Sequence, residues 1–422
     1  MLIGPNRALL APPPLRPTWS WNFAAMGRVP PGATFGRAST GWTETAAGLI
    51  VPASNNVPRF WRDEGYLAEM QSTNGITRSR TIAAHWSPQN LTAVDDDAVS
   101  PDGTQNATTL LEDAADTQKV VASPGVSYVT DGDYGHSIFV KALVGDGWVQ
   151  LLAAGGTAGV NFQPSTGTIG STVGGTADRV SGVVARAIGN GWWRLSFSWA
   201  SNWTGSASAR LYLVNSSSAA AGANYLGTGT RKFAVWGGQV DSTGVGVTSY
   251  IPTAGSTVTR AQDALSLPVS AIGFDPHQGG VLVARYQLTT HMGSWPGYYQ
   301  DALYLSDGSI NNSVKMVARH WNGINHGGML HKGGDQKFGL FVAAVPAVYT
   351  KRTQAVAWSA TRGQIAHDGV LDGTASFSDG LPVGPTTLDI GRYSSHGGNM
   401  IVDRVAYYRG AKVDAFGQLV SR

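Results

Sequence analysis

From about residue 105 onward the chain repeats one pattern: segments of 5 to 10 residues, rich in Val, Ile, Phe, Tyr or Trp, each closed by Gly, Asn or Asp. SIFVKAL (137–143), WVQLLAA (148–154), VSGVVARAI (180–188), WWRLSFSWA (192–200), ARLYLV (209–214) and RKFAVWGGQV (231–240) set it. VLVARYQLT (281–289), ALYLS (302–306), VKMVARHW (314–321), FGLFVAAV (338–345), AVAWSA (355–360), TTLDIG (386–391) and IVDRVAYY (401–408) continue it. Such runs are too short for ordinary helices and carry β-branched and aromatic residues between turn signals, the mark of strands. Helical spacing is confined to residues 62–70, expected as one short helix. Many short strands at regular spacing predict an all-β protein of sandwich or jelly-roll units, not a parallel α/β fold.

A chain of 422 residues is too long for one ordinary domain. The strand grammar breaks near 263–275, so we expect a jelly-roll over 76–265 and a second β-sandwich over 266–422. Residues 1–75 carry Pro clusters at 12–14 and 30–31 and little sheet periodicity, and are expected as an extended N-terminal docking arm. The Gly/Ser/Ala-rich tracts 153–176 and 216–230 are expected as long loops.

Composition removes several chemistries. There is no Cys, which excludes disulfides, thiolate metal sites and Cys nucleophiles and fits assembly in a reducing cytoplasm. Charged residues are 14% of the chain against a usual ~25%, the net charge is +3 and the Lys and Arg are scattered, so nucleic-acid binding is not expected. No apolar run approaches a membrane span and the N-terminus lacks the form of a secretory signal, so neither membrane insertion nor secretion by that route is expected. Only four acids are Glu (Glu44, Glu64, Glu69 and Glu112), which disfavours a glycosidase built on a Glu pair. No GxSxG elbow occurs, and the Gly-rich stretches lack the following helix of a phosphate loop.

Fourteen Trp residues are the most unusual feature. In WWRLSFSW, alternation sends Trp193, Leu195, Phe197 and Trp199 to one face, read as core, and Trp192, Arg194, Ser196 and Ser198 to the other. Trp192 beside Arg194, or Trp203 in the next loop, offers an aromatic plate and a forked donor, which is what a sugar ring needs. The alternative for these residues is packing. The loop WPGYYQD groups Trp295, Tyr298, Tyr299 and Asp301. HWNGINHGGMLH groups Trp321, Asn322, Asn325 and His326 with His320 and His331. Both loops are read as candidate glycan or subunit contacts, against hydrated loop or edge packing. The histidine spacings of six and five do not suit a metal site, so no metal or other cofactor is expected. Asp95, Asp96 and Asp97 form the one acidic run, read as a solvated turn in preference to a hard-cation site.

Certain runs resemble a known family. ATFGRASTGWTETAAGLI (33–50), VPRF (57–60) and GYLAEMQSTNGITRS (65–79) are similar to a leader common in tailed-bacteriophage virion proteins, where it precedes a carbohydrate-binding-module-like jelly-roll. SPDGTQNATTLLED (100–113), NGWWRLSFSW (190–199), FAVWGGQVD (233–241) and TSYIPTAGSTVTRAQD (248–263) extend the resemblance to residue 265. LYLSDGS (303–309), AVAWSATRGQIAHDGVLDG (355–373), LPVGPTTLDIGRYSS (381–395) and VDRVAYYRGA (402–411) are similar to concanavalin A/laminin-G-like sandwiches. The resemblance implies a virion structural protein (tail fibre, spike or capsid-attached head fibre) assembled in the host cytoplasm. It further implies docking to other virion proteins through the arm, a homo-oligomer with a trimer favoured, and recognition of bacterial surface glycan without catalysis. Two alternatives stand beside this reading: a capsule-degrading depolymerase using two of Asp301, Asp335 and Asp368, and a purely architectural subunit.

Overall fold

A computed structural model describes residues 16–242, 244–290, 299–320, 325–343, 345–393 and 396–410. Every ladder between the described strands is antiparallel, and four large sheets stack in pairs to make two β-sandwiches. The all-β expectation holds. Among the described residues no helix is long and apolar enough to cross a membrane.

The first sandwich packs an eight-stranded sheet on a six-stranded one. The larger sheet runs Val180–Gly189, Trp192–Ala200, Asp133–Val144, Lys232–Asp241, Gln105–Glu112, Leu91–Val99, with Ser72–Asn74 and Val258–Arg260 added at the Asp241 end. Its partner runs Thr168–Val173, Ala158–Gln163, Trp148–Ala153, Arg210–Val214, Lys119–Ala122, Ser87–Gln89. Period-two alternation puts Ile138, Val140, Leu195, Phe197 and Trp199 against Leu151, Val160, Phe162 and Leu211 between the layers. The tract 153–176, expected as a loop, contains a strand hairpin of the smaller sheet; its small residues are paired, not idle.

The second sandwich pairs another eight-stranded sheet with a seven-stranded one. The eight strands are Val370–Ser376, Arg362–His367, Arg352–Trp358, Gly280–Leu288, Met400–Arg409, Gly65–Ala68 and Phe60–Trp61, with Trp19–Asn22 on the same edge of Met400–Arg409. The seven are Thr34–Gly36, Ala264–Pro268, Thr387–Ile390, Gln300–Ser306, Ser313–Arg319, Asn325–Lys332 and Asp335–Ala343. Leu282, Tyr286, Val356, Trp358 and Ile365 meet Leu303, Val314, Met316, Leu330 and Ile390 in its core.

Residues 16–75 differ from the extended arm expected of them. Three of their strands join the eight-stranded sheet of the second sandwich, Thr34–Gly36 joins its seven-stranded sheet, and Ser72–Asn74 joins the first sandwich. These strands are two to four residues long, below the length at which alternation is visible. Residues 62–70 form no helix; Gly65–Ala68 is a fully buried strand, with Tyr66 in the main core and Leu67 beside Trp61 and Ile401 on the opposite face. Burial on both faces removes the polar half of the alternation, so the run mimics a helix.

Candidate functional site

A cleft of about 570 Å³ lies where the N-terminal segment and the two sandwiches meet. Trp61, Arg62 and Glu64 come from the turn after Phe60–Trp61. Val183, Val184, Ala185 and Arg186 come from the edge strand of the first sandwich, with Ile169 from the adjoining hairpin. Gln287 and residues 347–349 supply the second sandwich's wall. The Arg186 guanidinium carbon sits 4.5 Å from the Trp61 ring centroid and 5.6 Å from that of Tyr349. The buried carboxylate of Glu44 pairs with Arg186 at 2.5 Å and with Arg62. Gln287 donates to Glu64, and Arg62 donates to the Ala187 carbonyl at 2.7 Å, so the polar groups are held before any ligand arrives. Tyr349 is half-buried with φ 57°, its N–H bonded to the Leu288 carbonyl at 2.7 Å. An aromatic edge, two guanidinium groups, a carboxamide and a carboxylate on an apolar background, in a volume typical of small-ligand sites, suit a polyhydroxylated ligand. None of these residues stands out in the sequence, because the cleft is assembled from separate segments spread between residues 61 and 349.

The expected site residues scatter. Trp192 is 2% exposed, its Nε1 donating to the Val99 carbonyl at 3.1 Å. Arg194 is buried over the Phe139 ring and donates to Ser137 and to the Thr248 carbonyl. Alternation assigns their face correctly, but the hairpin Gly41–Glu44/Ile50–Ala53 covers it, bringing Trp42 and Ile50 onto Trp192, Trp236 and Tyr250. The plate expected there is interior. Trp203 is 39% exposed at one end of the first sandwich, close to Tyr128 and away from the cleft. Tyr299 and Asn325 do come together around His320: the Tyr299 and His320 rings lie 5.0 Å apart, and the His320 N–H donates to the Asn325 carbonyl. Trp295, Tyr298, Trp321 and Asn322 lie outside the described residues.

His326 is fully buried inside the second sandwich, and His331 falls on the opposite face of the same strand. In place of its sequence neighbours, His326 meets His367 and Asp372 of the facing sheet, the three offering ligand atoms within 4.8 Å of one another. The acidic run lies in the strand Leu91–Val99 and not in a turn: Asp95 accepts from the Ala83 and Ala84 N–H groups and from Thr108, while Asp97 accepts from Thr109 and Lys232.

The depolymerase alternative wants two carboxylates facing one groove. Asp301 is fully buried, where burial raises its pKa against the pull of Lys315 at 3.2 Å. Asp335 has an 82% exposed side chain beside Lys337, and Asp368 pairs with Arg352 at 3.3 Å. Each is held by its own cation.

No protein-family model matches the chain, and no curated protein matches it. Among solved structures it is similar to the CBM40 of the Ruminococcus gnavus IT-sialidase bound to α2,3-sialyllactose, at 18% identity and TM-score 0.28 over 34% of this chain and 83% of that one. It is also similar to domain 4 of AbnA, a GH43 extracellular arabinanase from Geobacillus stearothermophilus in complex with arabinotriose, at 12% identity and TM-score 0.30 over 42% and 82%. A third similarity, at 10% identity and TM-score 0.29 over 38% and 40%, is to the botulinum neurotoxin serotype D binding domain.

Proposed function

We propose that this protein recognises bacterial surface glycan as a structural component of a tailed-phage virion, in a tail fibre, spike or head fibre, and that the glycan enters the cleft between the sandwiches. The observation that carries the glycan reading is the cleft lining: the Tyr349 ring with Arg62, Glu64 and Gln287, three polar groups already oriented by hydrogen bonds, against Ile169 and Val183. The virion reading is supported by the leader-like run 33–79 and by GGQVD…TSYIPT…VTRA. Copies displayed together, as in a trimer, would turn weak single contacts into an avidity gain of about 10²–10⁴.

Purified protein titrated against a panel of bacterial surface polysaccharides, with the polymer length measured in the same tubes, tests this. Saturable binding to intact polymer is expected, with affinity reduced about tenfold or more in Tyr349→Ala and Gln287→Ala, the loss of one good contact. Absence of binding to any member, or binding indifferent to both substitutions, overturns the cleft assignment; shortened polymer replaces it with depolymerase activity. Docking is tested by removing residues 1–15 alone, since removing 16–75 takes strands from both sandwiches. Loss of incorporation into particles with folding intact supports attachment through that segment.

A further inference from the structure

We propose that His326, His367 and Asp372 bind one divalent transition-metal ion inside the second sandwich, tying its two sheets together.

The three residues reach the same point from facing layers. His326 lies on Asn325–Lys332 with its side chain on the core side, the side shared with Gly328 and Leu330. His367 closes Arg362–His367 and Asp372 lies on Val370–Ser376, the two strands forming one hairpin of the opposite sheet. His367 Nδ1 stands 2.7 Å from the Asp372 carboxylate, and His326 Nε2 stands 3.7 Å from it. The imidazole rings are 4.8 Å apart and nearly perpendicular, at 79°. Ligands of a tetrahedral zinc with bonds of about 2.1 Å sit roughly 3.4 Å apart, so small ring rotations bring these donors onto an ion.

A second observation points the same way. His326 is 0% exposed, and neither of its ring nitrogens has a hydrogen-bond partner among the described residues. Buried polar side chains are nearly always satisfied, and a bound ion would satisfy an imidazole left idle beside a second imidazole and a carboxylate. Burial, then the charge of Arg352 and of His367, holds its pKa down at about 3, so the ring is neutral, the form that coordinates. The positive charge of Arg352 is offset by Asp368 at 3.3 Å. The His367 side chain is 17% exposed, giving the ion a way in from the hairpin end. Two imidazoles and one carboxylate select borderline ions such as zinc or cobalt over calcium or magnesium, and leave a fourth position for water or an anion.

The test uses the full chain, stripped with chelator and dialysed. Zinc uptake is followed by calorimetry and metal analysis, and cobalt by its absorption spectrum. The expected result is one ion per chain, tetrahedral cobalt bands, and a zinc-dependent rise in Tm. His367→Gln and Asp372→Asn, at the partly exposed hairpin and checked for folding by circular dichroism, are expected to lower zinc affinity about 100-fold and to abolish the Tm rise. A wild-type chain that takes up no zinc, or uptake unchanged in both folded variants, overturns the proposal. These readouts are independent of glycan binding.

Discussion

His136 serves the first sandwich as an aromatic ring. It stacks on Phe197 at 5.2 Å and on Tyr128 at 6.0 Å, nearly parallel to both, and has no exposure. Burial holds its pKa down at about 3 from 6.5. Because the folded value is the lower one, the folded state is at full strength above pH 6.5 and weakens as pH falls toward 3, where only the unfolded chain takes the proton. Between pH 7.5 and 5 this one residue is expected to remove about 2 kcal/mol of stability. Urea denaturation of wild type and His136→Phe at both pH values checks it: the substituted chain should lose correspondingly less, and an identical loss in both refutes the assignment. Trp192 and Arg194 show what sequence can and cannot carry at this scale. Period-two alternation read their face correctly, yet it says nothing about what lies on that face, and the covering hairpin comes from residues 41–53.

The strand Lys232–Asp241 shows how a motif becomes geometry. Opposite it, Ser137 pairs with Gln239 and Phe139 with Trp236, so one extra residue is accommodated at Gly237–Gly238. Gly237 takes φ 63°, and a Cβ there would lie 2.8 Å from the Phe139 ring; a Cβ on Gly238 would lie 2.6 Å from Trp86. The bulge turns Val240 into the core and Gln239 and Asp241 to the covered opposite face, where Gln239 donates to Asp241 and accepts from the Ile251 N–H, and Asp241 accepts from Ser72 and Thr248. Gly237→Ala is expected to cost about 1–3 kcal/mol, measured by thermal or urea unfolding. Gly175→Ala, where a Cβ meets nothing within 4 Å, is the matched control and should be near neutral. At this scale the sequence was most readable: all thirteen strand segments recognised after residue 105 form strands. Its failures share a cause. Residues 65–68 lack a polar face, and residues 153–176 are rich in small residues, so neither displays the alternation that betrays a half-buried strand.

At the level of the whole molecule, a buried cluster of charges binds the N-terminal segment to the connection between the sandwiches. Asp263 pairs with Arg37 at 3.0 Å, with Arg59, and with Arg260 at 3.8 Å, while Glu69 pairs with Arg59 at 2.7 Å and Arg260 at 3.6 Å. All five side chains are at most 2% exposed. Burial alone would raise the Glu69 pKa, but Arg260 and Arg59 outweigh it and hold it at about 2. Removing one member of such a cluster strands the others in a dry interior, so Asp263→Ala is expected to cost about 3–5 kcal/mol, read as a lower denaturation midpoint. Limited proteolysis should then cut within residues 37–70 of the variant and spare them in wild type; equal protection would refute the clasp. Arg260 and Asp263 belong to the VTRAQD run noted in the sequence, and Arg59 and Glu69 to VPRF and GYLAEM. These runs carry sparse charges among apolar and small residues, and the fold brings those charges together. The cleft had no such signature, since its walls are joined only by the folding that this clasp completes.

The edge pairing of Trp19–Asn22 with Met400–Arg409 also sets a schedule. Roughly 380 residues separate the two strands, and at about 5–20 residues per second a ribosome needs some 20–80 s to deliver the second after the first. Throughout that interval Trp19 and Trp21 lack the strand they pair with. The newborn chain therefore carries Trp19–Asn22 as a sticky, unmatched edge until Met400–Arg409 emerges, and a product that stops before residue 400 keeps it so. The pairing is thus a checkpoint built into the fold: only a chain made past residue 409 can match the edge of Trp19–Asn22.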